Sequence, residues 1–327
     1  MYIKIIILLW IIYKLYRHFK GEKLKLNDKS IVLISGCSRG LGESTAKKLV
    51  KKYNCTIINI SRTGIESLRS ALTPKQNEMV HHYECDISDE EKLAMTLVEI
   101  RRKFRIPDLI INNAAINSMG YIFEDNDNFN LMKVIQTNVL GHIQLTRFFM
   151  SEYLSRFAMK PKFTAETFGV SDPQRSSTIR LRRPKLNIAF ISSIVSEAPV
   201  LRFSSYSMSK AMLQSFINNL RMEINHLNLN NMIRIMSILP GGFKSQMFHF
   251  FKGFLTVTCG TVDNMSDNVI YDVETLQERA YHPWYFRFQT KLADLLIPEK
   301  FTDKLNLFIN RKCLVDVLDK VIEKKEE

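Results

Sequence analysis

Tyr206 and Lys210 stand four residues apart in Tyr206-Ser207-Met208-Ser209-Lys210, and Ser193 lies thirteen positions before the tyrosine. On a helix, that four-residue spacing puts both side chains on one face. An ammonium then lies beside a phenol. A free tyrosine titrates near ~10, and a neighbouring cation favours the phenolate. The spacing therefore predicts a tyrosine that exchanges a proton with an alcohol or carbonyl oxygen. Ser193 would hydrogen-bond that same oxygen. A solitary Tyr-x3-Lys pair is as readily a solvated helix face, so its weight comes from the segments around it.

The element that must position a second reactant lies near the start of the chain. Ser30 to Ile34 reads as a buried strand and runs into Ser35-Gly36-Cys37-Ser38-Arg39-Gly40-Leu41-Gly42. A helical stretch follows, from Glu43 to about Tyr53. Strand, glycine loop and helix together seat a pyrophosphate on a helix N-terminus. Gly36 permits the turn, Gly40 lets the backbone approach phosphate, and Gly42 allows close helix–strand packing. The pattern is Gly-x3-Gly-x-Gly, which departs from the commoner dinucleotide fingerprint.

With these two segments the chain resembles the short-chain dehydrogenase/reductase family. Further segments fit in the family's order, from about Asn27 to Met247. Cys85-Asp86-Ile87 resembles the segment whose Asp contacts the adenine. Asn112-Asn113-Ala114-Ala115 resembles the family's Asn-Asn-Ala-Gly. Asn138, in Thr137-Asn138-Val139-Leu140-Gly141, matches the Asn that holds a relay water. Pro240-Gly241, with Ser245 after it, resembles the loop over the nicotinamide. The resemblance implies that Ser193, Tyr206, Lys210 and Asn138 are catalytic. It sets Gly36, Ser38, Arg39, Gly40, Leu41, Gly42, Arg62, Asp86, Ile87, Asn113, Tyr206, Lys210, Pro240, Gly241 and Ser245 against the cofactor. Two departures stand out. Ala115 replaces a glycine and threatens to crowd the cofactor, and the Asn138–Ser193 spacing is about twice the family's.

The second strand ends at Ser61-Arg62, where an NAD site usually carries an acid for the ribose 2′-hydroxyl. Arg39 adds another cation. Two arginines and no carboxylate suit a 2′-phosphate, so the expected cofactor is NADP(H).

Residues 1 to 16 form an apolar run interrupted only by Lys4 and Lys14, with Arg17, His18, Lys20, Lys23 and Lys25 following. A spanning helix wants about 20 apolar residues, so both a short span and an in-plane anchor are open. We expect residues 1–20 to be a membrane anchor helix and 21–30 a linker. The basic flank predicts a catalytic domain on the cytosolic side of a membrane, endoplasmic reticulum or lipid droplet.

The net charge is +13. Residues 1–25 hold six Lys/Arg against one acid, and residues 156–185 hold eight against two, so these two stretches carry 11 of the 13 charges. That distribution suits an anionic membrane surface. With no nucleic-acid module visible, it argues against nucleic acid as a partner. Five scattered cysteines, including Cys37 in the glycine loop, show no metal spacing and suggest reduced thiols. No metal is expected. The histidines, His142 among them, show no ligand or triad spacing.

Strands expected near 31–35, 56–60, 80–84, 108–112, 187–192 and 233–238 alternate with helices. That order predicts one Rossmann-type α/β domain over 31–327, a doubly wound parallel sheet. Residues 157–186 read as an inserted basic loop that would overhang the active site or touch a membrane. Residues 246–327 read as a substrate-facing and C-terminal region, with aromatic stretches at Phe248–Leu255 and Tyr281–Phe288. Helical patterns appear near 286–296 and 312–324. The expected function is NADP(H)-dependent hydride transfer to a lipophilic ketone or from the alcohol, with a homodimer possible. The alternative is a catalytically silent, tethered nucleotide-binding module.

Overall fold

The computed structural model describes residues 22–118, 120–121, 130–157, 185–198, 200–244 and 260–283. The expected anchor, Ser245, Phe248–Leu255, the interior of the basic insertion and the helical patterns beyond residue 283 lie outside these residues.

Alternating β-branched runs and amphipathic helices give β1 (Ile31–Ser35), α1 (Gly40–Tyr53), β2 (Thr56–Ser61), α2 (Glu66–Ser70), α3 (Pro74–Asn77), β3 (Val80–Glu84), α4 (Glu90–Lys103) and β4 (Leu109–Asn112). Next come α5 (Leu131–Ile135), a π-helical turn at Gln136–Leu140, and α6 (Gly141–Phe157). The chain continues through β5 (Leu186–Ile191), a 3-10 turn at Ile194–Ser196, α7 (Ser204–His226), β6 (Ile233–Pro240), β7 (Phe243–Lys244), β8 (Gly260–Thr261), α8 (Val262–Glu274) and β9 (Arg279–His282).

Seven strands form one sheet in the order β3-β2-β1-β4-β5-β6-β9, and every neighbouring pair is parallel. Such a sheet must be covered on both faces. On one face Val32, Ile34 and Ile57 pack with Leu49 and Val50 of α1 and Val269 and Val273 of α8. On the other, Leu33, Ile58 and Ile188 pack with Leu97 of α4, Phe149 of α6 and Ile217 of α7. Odd and even strand residues thus feed opposite cores. Truncating fully buried Phe149 to alanine would cost roughly 3–5 kcal/mol.

Six strands fall within two residues of their expected positions. β9 was not foreseen. It lies within the region read as substrate-facing, but Tyr281 is buried and pairs with Leu239 of β6. The stretch read as a linker is irregular over residues 22–30 and is docked on the domain. Leu26 is buried, Leu24 donates its N–H to the Glu274 carbonyl at 2.8 Å, and Glu22 bonds both Lys185 and Arg234. Apolar contact and ion pairing dock this stretch where the strands begin. The inserted loop also attaches at that edge, between Phe157 and Leu186, whereas Ser193 follows the other end of β5. Among the described residues, no helix is long and apolar enough to cross a membrane.

Candidate active site

The glycine loop joins β1 to α1 at the carboxyl end of the sheet. Gly36 has φ +80° and Gly40 φ +63°, both in the left-handed region that favours glycine. A Cβ on Gly42 would stand 2.1 Å from the Gly36 carbonyl oxygen and 2.5 Å from Asn113 Nδ2. A Cβ on Gly40 would meet nothing within 4 Å, so the loop is tight beneath and open above. Arg39 precedes α1 without a side-chain cap, leaving first-turn amides to a ligand. That is the donor set a diphosphate needs.

Polar side chains beneath fix the loop. Asn59, wholly buried in β2, accepts the Cys37 N–H at 2.9 Å. Its amide donates to Ser61 Oγ at 2.8 Å and His82 Nδ1 at 2.9 Å. Asn113 Nδ2 donates to the Ser35 and Gly36 carbonyls, each at 3.0 Å. Ser35 Oγ accepts the N–H groups of Asn113 and Ala114, also at 3.0 Å. Ala115 is not among the residues of positive φ, so its methyl costs no backbone strain. Cys37 is fully buried and burial raises its thiol pKa, so it is a bystander.

Ser38 and Leu41 complete the loop, with Leu41 buried against the core. Arg39 and Arg62 are exposed, and neither has a protein partner among the described residues. Asp86 takes the N–H and hydroxyl of Ser88 at 2.9 and 2.7 Å and the Lys133 ammonium at 3.1 Å, so its carboxylate shapes its own turn. The next residue, Ile87, leaves no room for a side chain on Gly141, whose Cβ would lie 2.3 Å from the Ile87 oxygen.

The residues expected to transfer a proton come together at the ends of β5 and β6. Tyr206 lies in the first turn of α7 and is 5 % exposed, and Lys210, one turn on, is 1 % exposed. The Lys210 Nζ lies 5.6 Å from the Tyr206 ring centroid and donates to the Ile191 carbonyl at 2.8 Å. Ser193 Oγ donates to the Pro240 carbonyl and accepts from the Val195 N–H, both at 3.3 Å. Gly241 donates its N–H to the His282 carbonyl at 2.6 Å, so β9 braces the loop expected over the nicotinamide.

Burial raises the Tyr206 phenol, and a hydrogen bond with Ser193 pulls the other way. Burial also lowers Lys210 to about 7. The sequence predicted a phenol pulled down by the lysine. In the fold desolvation wins, because both groups leave water together.

Asn138, in the π turn, is fully buried. Its Oδ1 accepts the Ile116 N–H at 2.9 Å, and its Nδ2 donates to the Ile116 carbonyl at 2.9 Å and Ser209 Oγ at 3.0 Å. The side chain is spent on protein, so any hold on a relay water falls to its main chain. Sequence reasoning missed Ser35, Asn59 and His142; a buried polar residue at or near a strand's end was the available signal for the first two. Among the described residues no cluster of potential metal ligands occurs.

The short chain dehydrogenase family pattern matches residues 30–158 and 176–252, and this chain belongs to that family. It is 29% identical over 233 residues to the uncharacterized oxidoreductase TDA5 of Saccharomyces cerevisiae, spanning 71% of this chain and 60% of that one. To the 3-ketodihydrosphingosine reductase TSC10 of Debaryomyces hansenii it is 28% identical over 237 residues, 70% of this chain and 64% of that one. The match therefore spans less than two thirds of these relatives' length. The fold is shared with a short chain dehydrogenase of Burkholderia cenocepacia solved with NADP, at TM-score 0.59 and 18% identity, covering 84% of this chain and all of that one.

Proposed function

We propose that the protein is an NADP(H)-dependent oxidoreductase acting on a lipophilic ketone or alcohol. The observation that carries this reading is the buried Ser193–Tyr206–Lys210 group at the same sheet edge as the glycine loop. NADP(H), when bound, supplies or accepts the hydride. Tyr206 keeps its proton at neutral pH and holds it at the phenol oxygen. It is therefore poised as the acid for an oxygen that gains electron density. Ser193, whose bonds to the Pro240 carbonyl and the Val195 N–H are both long at 3.3 Å, turns its hydroxyl to the same oxygen. Lys210, near neutrality in this buried setting, gains its charge when anionic or hydroxyl-bearing groups come close. Arg39 and Arg62, exposed and without a partner among the described residues, supply forked donors to a 2′-phosphate. A relative that reduces 3-ketodihydrosphingosine and another named 11-beta-hydroxysteroid dehydrogenase A, from Arachis hypogaea, 28% identical over 246 residues, support a lipophilic substrate. The apolar sequence of residues 1–16 supports a membrane setting with the domain in the cytosol.

The test is NADPH consumption by the full chain in detergent with 3-ketodihydrosphingosine, an 11-ketosteroid and a medium-chain ketone. Turnover of at least one, with NADPH preferred over NADH, is expected. NADPH binding without turnover of any would favour the silent module, and no binding would sink both.

A further inference from the structure

His142 is fully buried at the start of α6, and its neighbours are parts of the site rather than of a separate core. Its Nε2 lies 3.4 Å from Ser35 Oγ. That oxygen already accepts two main-chain N–H groups, from Asn113 and Ala114. A hydroxyl has two lone pairs and one hydrogen. With both lone pairs engaged, the hydrogen is left for His142, and Nε2 must be the acceptor. A neutral imidazole then carries its proton on Nδ1. The Asn138 carbonyl, four residues back, is the main-chain group acting on the ring, although among the described residues Nδ1 makes no hydrogen bond of regular geometry.

We propose that His142 is a positioning residue for the cofactor-binding turn, held as the neutral Nδ1–H tautomer. It orients the Ser35 hydroxyl so that Ser35 can receive both amides of the Asn113–Ala114 turn. Asn113 in turn holds the Gly36 carbonyl, so the imidazole acts on the glycine loop through two intervening residues. It also joins α6, and with it the π turn of Asn138, to the end of β1. Burial and the nearby Lys210 ammonium both oppose a charge on the ring and push its pKa down to about 3. The part played in cofactor binding rests on the nucleotide reading above, whereas the tautomer does not.

Two measurements on the full chain test this. Nitrogen-15 NMR of labelled histidine should show one Nδ1–H imidazole that does not titrate between pH 5 and 8. An Nε2–H tautomer or an imidazolium at this residue overturns the proposal. In NADPH titrations followed by protein fluorescence, His142→Phe should raise Kd about tenfold, as loss of one buried hydrogen bond predicts. His142→Gln places an amide oxygen near the former Nε2 and should recover affinity to within about threefold. Wild-type affinity in His142→Phe, or equal loss in both variants, overturns it. Should His142→Phe not fold, Ser35→Ala replaces it, with the same tenfold rise expected and an unaltered Kd decisive against. If NADPH does not bind the unmodified chain, the nucleotide reading fails while the NMR result still stands.

Discussion

Asn59 Oδ1 accepts the Cys37 N–H at 2.9 Å, so one side chain inside β2 holds the main chain of the glycine loop. Asn59→Leu, similar in size, would orphan that N–H and strip a donor from Ser61 and His82. A loss of about 1–3 kcal/mol is expected, seen as a lower melting temperature, with weaker NADPH binding. Asn59→Asp keeps the acceptor for Cys37 and should lie between the two. Identical melting of Asn59→Leu and wild type would show that the bond does not hold the loop.

Tyr206→Phe removes one hydroxyl from a buried ring. Turnover should fall by roughly 10²–10⁴-fold, the usual range for lost acid–base catalysis, while NADPH affinity stays within about twofold. Because burial raises the phenol, reduction should not decline on its account between pH 6 and 9. Retained turnover in the variant would remove Tyr206 as the proton donor.

Lys210 makes stability depend on pH with a definite sign. The unfolded lysine keeps its proton to near pH 10.5, whereas the folded one releases it near 7. Between these values the unfolded state binds more protons, so stability climbs as pH rises through the window. Below pH 7 the burial penalty is complete. Lys210→Met should therefore melt about 1–2 °C higher than wild type at pH 6, the effect of roughly 1 kcal/mol in a chain of this size. The advantage should fade by pH 10. A difference that does not change with pH would show that burial of the ammonium is not the cause.

On the proposed reading, Arg39 and Arg62 carry the cofactor preference. Alanine at Arg62 should raise the KM for NADPH about tenfold or more, matching the loss of a charged hydrogen bond worth about 1.5–3 kcal/mol. The KM for NADH should barely move. Equal effects on both nucleotides would break the link between these arginines and a 2′-phosphate.

Gly42 tests the packing of α1 on the loop. In Gly42→Ala the new carbon would sit 2.1 Å from the Gly36 oxygen, so α1 must shift. Overpacking of this kind costs about 1–3 kcal/mol, measurable by denaturant unfolding. A variant as stable as wild type would mean the loop has slack that its geometry does not show.

Much of this architecture was legible in the sequence because β-branched runs and motif spacing are local signals. β9 was not, since Arg279–His282 is only four residues long, lies at a sheet edge and holds just two adjacent buried residues, Ala280 and Tyr281, between polar ones. The spacing that brings Tyr206 and Lys210 together was legible, but the electrostatics were not. Whether Lys210 lowers the phenol depends on how much water both groups keep, and only their burial reveals that. His142 carried no motif, because its partner Ser35 lies 107 residues away in the chain. Asn138 was found, yet the engagement of its amide with Ile116 and Ser209 is a tertiary fact.

Glu22 is gripped by Lys185 and Arg234 at the margin where β5 and β6 start. Whatever precedes it in the polypeptide departs from the pole opposite Tyr206. Were that segment held by a bilayer, the nicotinamide pocket would face outward toward soluble nucleotide, and a greasy substrate would have to travel around the body of the protein to reach it.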